Sequence, residues 1–446
     1  KGENIWDRYT HQRSEYILDG SNGDFACDSY NKYKEDIALM KELGIQLYRF
    51  SLSWSRILPI GLSYKINPDG IRYYNDVINL LIKNNIVPMV TLFHWDTPQP
   101  LEDLGGFANE LMAKWFEEYA NVVFQHFGDR VKLWLTFNEP TVLCLDGYGG
   151  NVHAPGYNLS GIGEYLCIHN MLKAHARAYH LYDKKYKPTQ KGKVSITLPS
   201  FWFEPASDSK EDADAAQRMR DFAFGWYADP IFHPNGDYPT SMKTRIAKRS
   251  KQEGFPYSRL PEFTKGEVQY IKGTYDYLGL NHYTTQMVAQ KEEDLISNPS
   301  FSKDIGVSAY YEPFWPGSAS PWLKVVPWGF RKILNYIKDR YGDMEIYITE
   351  NGYSDHGELN DLDRIDYYQQ YLDCLLDAIL EDEINVRGYT SWSLIDNFEW
   401  RFGYVYRYGL FHIDFNNTLR PRTRKSSADY YKQVIATRIL PRNNSV

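Results

Sequence analysis

The sequence lacks several features, and each absence narrows its function. No run of roughly 18 apolar residues occurs in its 446, so no segment is expected to cross a membrane. No basic block occurs either; the net charge is −7 and the pI about 5.9, which argues against nucleic-acid partners held through phosphates. The four cysteines, Cys27, Cys144, Cys167 and Cys374, lie far apart with no CxxC pair. That excludes a zinc ribbon and leaves zero, one or two disulfides, or buried thiols. HExxH and P-loop motifs are absent. Gly147-Tyr-Gly-Gly150 reads as a turn without the strand and helix that a dinucleotide fingerprint needs. His169, His175 and His180 fall on one predicted helix but share no face, so they predict no metal site. No cofactor is implied, and nothing in the sequence points to an oligomeric state. The first residues, Lys1-Gly-Glu-Asn-Ile-Trp-Asp7, are polar, start without Met and do not resemble a signal peptide, as in a mature or trimmed chain.

What is present describes a globular protein. Hydrophobic residues make up 43% and charged residues 24%, close to ordinary values, so a sizeable core can form. Aromatic residues reach 16%, with 37 Tyr and 12 Trp. That excess suits either a large core or a pocket that stacks the apolar faces of sugar rings. Sequons at Asn158, Asn416 and Asn443 lean toward a secretory route with N-glycans, although about two are expected by chance in a chain this long.

Apolar periodicity gives an alternating series. Residues 1–27 read as loop, then helix 30–44 and strand 46–53. Helix 70–84, strand 87–94, helix 110–127 and strand 132–139 follow, then helix 162–186 and strand 193–203. A helical stretch over 211–227 leads into a Gly/Pro-rich region over 229–261 and strand 275–283. A long irregular segment reaches residue 327, and then come helix 329–341, strand 345–350, helix 364–381, strand 386–394 and a final helix 425–437. Strands separated by helices predict parallel βα units in one domain spanning 1–446. The seven predicted strands are one short of an eight-stranded (β/α) barrel, and the first helix has no strand before it. The chain is therefore expected to start inside the first βα loop, without strand one.

Two strand ends carry the chemistry. Trp134-Leu-Thr-Phe-Asn-Glu139-Pro140 runs from an apolar strand into an amide, a carboxylate and a strand-stopping proline. Tyr347-Ile-Thr-Glu350-Asn-Gly352 repeats the design. Either acid alone is as readily a solvated loop residue. A pair on one barrel rim supplies the acid/base and nucleophile for cleaving a glycosidic bond.

Six ordered motifs carry a resemblance: Tyr48-Arg-Phe-Ser51, His94-Trp-Asp96, Thr136-Phe-Asn-Glu-Pro140, Asn281-His-Tyr283, Ile348-Thr-Glu-Asn-Gly352 and Trp392-Ser-Leu-Ile-Asp-Asn-Phe-Glu-Trp400. Together they resemble glycoside hydrolase family 1, the retaining β-glycosidases, and look most like its insect β-glucosidases. The resemblance runs from Glu3 to about Ile439 and implies a (β/α)8 TIM barrel. It implies Glu350 as nucleophile and Glu139 as acid/base, with Arg49 and Tyr283 serving Glu350. It further implies sugar contacts from His94, Asn138, Asn281, Trp392, Glu399 and Trp400, and a leaving-group platform at Trp322. Relatives that bind 6-phospho-sugars carry Ser and Lys near this last motif; Glu399 would repel a phosphate, which points to an unphosphorylated glycone, glucose first with galactose or fucose beside it.

Two departures stand out. The family's opening strand, with a glycone-binding Gln, is absent, and Arg401 and Arg407 add positive charge near the pocket mouth. Three readings follow. The first is a β-glucosidase acting on a small β-glucoside or oligosaccharide. The second is a thioglucosidase whose sulfated substrate would meet Arg401 and Arg407. The third is a non-catalytic sugar-binding relative, which the two retained Glu residues oppose.

Overall fold

The computed structural model describes residues 1–291 and 298–441. Seven strands form one sheet: β1 Leu47–Ser51, β2 Val87–Phe93, β3 Leu133–Asn138, β4 Lys193–Pro199, β6 Leu278–Asn281, β9 Ile346–Asn351 and β10 Val386–Ser391. They pair in that order and every pair is parallel. The central strands β2, β3 and β4 are almost wholly buried, as strands covered on both faces must be. All seven C-terminal ends therefore meet on one rim, and the architecture is the expected α/β barrel.

The helices between strands follow from local chemistry. Asn67 caps helix Pro68–Lys83, where proline occupies the first turn and loses no needed N–H. Helix Ser29–Leu43 stops at Gly44, whose φ of +75° suits a residue without Cβ. Among the described residues β1 and β10 form no ladder with each other. Between these edges lies a cavity of about 1110 Å³, lined by Tyr48 and Phe50 on one side and Tyr389 and Ser391 on the other.

Five expectations need correction. Residues 1–27 hold a helix, Ile5–Gln12, started by a reciprocal cap in which Asn4 and Asp7 side chains accept each other's backbone N–H. An Asn/Asp pair stands there instead of the usual Ser/Thr with Glu/Gln, so polarity alone suggests a loop. The Gly/Pro-rich region contains helix Thr240–Gln252, whose Met242, Ile246 and Arg249 are buried at helical spacing. The predicted strand 193–203 is two strands, β4 and β5 Trp202–Pro205. The segment read as irregular supplies β7 Thr285–Gln290 and β8 Val307–Tyr310, which join β5 in a small second sheet. Finally, residues 147–150 are no simple turn: Leu143–Gly149 is a π-helical segment directly after the acid-bearing strand end.

Cys144 and Cys167 form a disulfide that ties this π-helical segment to helix Gly163–Leu181; Cys27 and Cys374 are free thiols. His175 joins Thr136 Oγ1 and the Thr274 carbonyl, each at 2.7 Å, and His169 joins the Tyr238 hydroxyl at 3.0 Å. These histidines work as buried polar links. Among the described residues no helix is long and apolar enough to cross a membrane.

A buried ionic cluster anchors the loop after β10. Lys425 Nζ lies 2.9 Å from Asp355 and 3.2 Å from Asp396, and Arg364 pairs with Asp355 and, at 2.8 Å, with Asp361. Lys425, Arg364 and Asp396 are fully buried. Removing one partner strands charges that water cannot reach. Lys425→Met is expected to cost about 3–5 kcal/mol in denaturant unfolding; a loss under about 1 kcal/mol would show that the cluster does not anchor the loop.

Candidate active site

Glu139 follows the last residue of β3 with φ +43°, a left-handed conformation that a branched-out side chain adopts only where neighbours enforce it. They do so here. Its N–H donates to the Thr197 carbonyl of β4 at 3.0 Å, and Pro140 fixes the next turn. Trp95 Nε1 donates to the Asn138 carbonyl at 2.8 Å. Glu350 sits in β9, its carbonyl accepting from His282 N–H at 3.0 Å. The backbone thus sets both acids before any side-chain contact is counted.

One hydrogen-bonded path then joins them. Arg49 Nη1 donates to Glu350 Oε1 at 2.6 Å, and its Nη2 donates to Asn138 Oδ1 at 2.5 Å. Asn281 Nδ2 donates to Asn138 Oδ1 at 3.2 Å and to Glu139 Oε1 at 2.6 Å. Tyr283 OH donates to the other oxygen of Glu350 at 2.7 Å. Asn138 Nδ2 meets His94 Nε2 at 3.0 Å. The path spans four strand ends, β1, β3, β6 and β9, and its ionic pair is almost fully enclosed, with 6% exposure of each side chain.

Burial raises the Glu139 carboxyl well above the ordinary range, and the nearby Glu350 charge raises it further. Glu399 is pushed up to about 8, again by burial first and Glu350 second, while a Trp392 hydrogen bond pulls the other way. Burial and the Arg49 charge hold His94 far below its usual value, so this imidazole is neutral. Burial and the Glu350 charge thus favour the protonated form of both Glu139 and Glu399.

The acids open into a cavity of about 350 Å³. Of the residues expected here, His94, Glu139, Asn281, Tyr283, Trp322, Glu350, Trp392, Glu399 and Trp400 all line it. Arg49 and Asn138 do not; they stand behind the wall and hold the acids from there. His94 stacks on Trp400 at 5.6 Å between centroids, and Trp322 stacks on Phe201 at 5.8 Å. Arg401 lines the cavity as expected, whereas Arg407 does not. Its guanidinium donates to the Tyr404 and Ile413 carbonyls, lies 3.6 Å from Asp396 and sits over Phe415, so its donors turn toward the protein. Sequence reasoning missed Asp146, His153 and Phe201. An acid and a histidine among the glycines just after Pro140 were the available signal for the first two.

The Glu399 shift has a consequence for stability. The folded protein holds this proton to about pH 8, while the unfolded chain releases it near 4.5. The folded state binds more protons across that window, so stability falls as pH rises through it. Glu399→Gln should flatten the fall of melting temperature between about pH 5 and pH 8. Parallel profiles for variant and parent would refute the assignment.

The model of glycosyl hydrolase family 1 matches residues 1–439. Myrosinase 1 of Brevicoryne brassicae is 48% identical over 439 residues, covering 98% of this chain and 93% of the relative. The cytosolic beta-glucosidase of Cavia porcellus is 44% identical over 445 residues, covering 99% and 94%. A rice beta-glucosidase mutant, solved in a covalent complex with Glc, superposes with a TM-score of 0.92 at 39% identity, covering 97% and 93%. With matches of this extent on a parallel barrel that brings two glutamates to one rim, the chain belongs to glycosyl hydrolase family 1.

Proposed function

We propose that this enzyme removes terminal non-reducing β-D-glucosyl residues by double displacement, with Glu350 as nucleophile and Glu139 as acid/base. The carrying observation is the path from Glu139 through Asn281, Asn138 and Arg49 to Glu350. It gives the two carboxyl groups different surroundings, the arrangement that sets unlike roles for like groups. Arg49 and Tyr283 each donate to one Glu350 oxygen and fix its orientation. Glu139 keeps a proton to give.

In the first step a Glu350 oxygen attacks the anomeric carbon. The carbon–oxygen bond to the leaving group breaks as Glu139 transfers its proton to that oxygen. Esterification removes the Glu350 charge, and with it the second of the three causes that raise Glu139, after burial and ahead of Glu399. Glu139 is then an ionised carboxylate able to take a proton from water, which attacks the anomeric carbon, breaks its ester bond to Glu350 and returns that carboxylate, releasing glucose with retained configuration.

Trp392, Trp400 and His94 form an aromatic wall suited to a pyranose face, and Glu399 presents a buried oxygen that no protein donor uses. A sugar hydroxyl at that oxygen would complete its bonding. Asn281, through Asn138, links the catalytic acid to His94 of that wall. For location, the buried Cys144–Cys167 disulfide and the exposed Asn158 and Asn416 support a secretory route. The third sequon, Asn443, lies outside the described residues.

Glu350→Gln should abolish both turnover and covalent labelling by a 2-fluoro-glucoside; retained turnover would overturn the nucleophile assignment. Glu139→Ala should lose about 10²–10⁴-fold on poor leaving groups and far less on very good ones. Azide should restore its rate through a glucosyl azide product. Equal losses on all leaving groups would remove Glu139 from the proton-donor role.

A further inference from the structure

We propose that Thr349 and Thr197 are positioning residues for the proton donor: their hydroxyls fix the amide of Asn281, and Asn281 in turn fixes the carboxyl of Glu139. This inference rests on the reading of Glu139 as acid/base and names what holds that acid in place.

Three observations carry it. First, the neighbours of the Asn281 amide force which way round it lies. Arg49 can only donate, so the Asn138 atom that it meets at 2.5 Å is the carbonyl oxygen, Oδ1. The Asn281 atom 3.2 Å from that acceptor must be a donor, Nδ2. Asn281 Oδ1 then points away from Glu139 and needs a donor of its own. Second, the threonines supply it. Thr349 Oγ1 lies 2.7 Å and Thr197 Oγ1 3.1 Å from Asn281 Oδ1, and the two hydroxyls also touch each other. Each hydroxyl carries one hydrogen, so one lies between them and the other is left for Asn281. Thr197, Asn281 and Thr349 are at most 2% exposed, so bulk water does not replace a lost hydroxyl. Third, the sheet makes room for the contact. Thr197 faces Gly279 in the β4–β6 ladder, and a Cβ on Gly279 would lie 2.8 Å from Thr197 Oγ1. A residue without a side chain there lets Thr197 lean across to Asn281.

The Asn281 bond acts on the proton that the leaving group takes. Burial first and Glu350 second raise the Glu139 carboxyl; the Asn281 hydrogen bond comes next and lowers it, followed by the lowering charge of Arg49 and the raising charge of Glu399. Tyr283 and Tyr227 also lie near enough to feel the Glu139 charge. Among the described residues the two threonine hydroxyls bond only to each other and to Asn281. Removing both leaves Asn281 Oδ1 buried and unpaired, a cost that the amide escapes by turning away from Glu139. The carboxylate then loses a donor, and its proton is held to higher pH.

The test follows kcat/KM against pH for an alkyl β-glucoside, which needs the Glu139 proton, and for dinitrophenyl β-glucoside, which needs it little. It compares the parent with the double variants Thr197→Val/Thr349→Val and Thr197→Ser/Thr349→Ser. Valine keeps the shape and removes the hydroxyl; serine keeps the hydroxyl and trims the packing. The valine pair should move the basic limb for the alkyl substrate up by about half a pH unit or more, and the serine pair should leave it in place. The limb for the dinitrophenyl substrate, where Glu399 is the acid titrating in that range, should stay. A limb that moves by less than about a fifth of a unit in the valine pair overturns the proposal, and so does an equal shift in the serine pair, which is a packing effect. If the valine pair does not fold, Thr349→Val decides, and an upward shift in it is still required. A Glu139→Ala variant that azide does not rescue defeats the acid/base reading itself, an outcome separate from all of these.

Discussion

A guanidinium enclosed in the barrel is the constraint on which the rest depends. Arg49 is an always-charged group in a place that water barely reaches, and such a charge is tolerated only when its donors are paired. Its partners come from three other strands: Thr91 of β2, Asn138 of β3, and Glu350 with the Thr349 carbonyl of β9. Strands from both halves of the sheet must therefore end at one level. The register that satisfies Arg49 also sets Asn281 beside Glu350 in the β6–β9 ladder, and from there Asn281 reaches Glu139. Fold and catalytic geometry share one set of bonds.

Burial, more than any single charge, sets the state of the neighbouring carboxyls. Burial first, and then the charge of Glu350 in its ion pair with Arg49, push the Glu139 and Glu399 carboxyls up so that they favour the protonated form. In the proposed mechanism, one of the two protons so held is the one the leaving group takes. The other makes Glu399 a hydroxyl-like partner before sugar binds, with a buried oxygen still unmatched. Holding two neutral carboxyls near neutral pH costs stability that the unfolded chain does not lose. Sites of this kind commonly trade stability for function.

The sequence reveals what depends on period and on strand ends. The seven barrel strands stand out because each couples an apolar run to a helical stretch, and Glu139 and Glu350 stand out because an acid ends a buried strand. The small sheet of β5, β7 and β8 does not stand out. Its strands are short, and β5 follows β4 so closely that the two read as one run. The capped helix Ile5–Gln12 and the helix Thr240–Gln252 are hidden by polar composition, because side chains far away in sequence cover their few apolar residues. In the site the pattern is the same. Residues inside motifs were legible as a set, but the retreat of Arg49 and Asn138 behind the wall was not, since it depends on bonds between strands. Arg401 and Arg407 show the limit most plainly. Six residues apart and alike in charge, they read as a pair; one faces the cavity and the other is spent on backbone carbonyls.

That contrast bears on how one short loop places three unlike side chains. Glu399 and Arg401 flank Trp400, which has φ +52° in the turn Trp400–Phe402. The left-handed residue reverses the chain, so one short turn sends an acid into the cavity, then a ring onto His94 and Trp95, then a cation toward Asp146. Asp355, Asp396, Arg364 and Lys425 hold the ends of the loop, and the wedge of Trp400 between Trp6 and Trp95 holds its middle. A shift at Trp400 would move Glu399 and Arg401 together. The two are therefore mechanically coupled, and a substitution at residue 401 cannot be read alone unless the contacts of Glu399 are measured beside it.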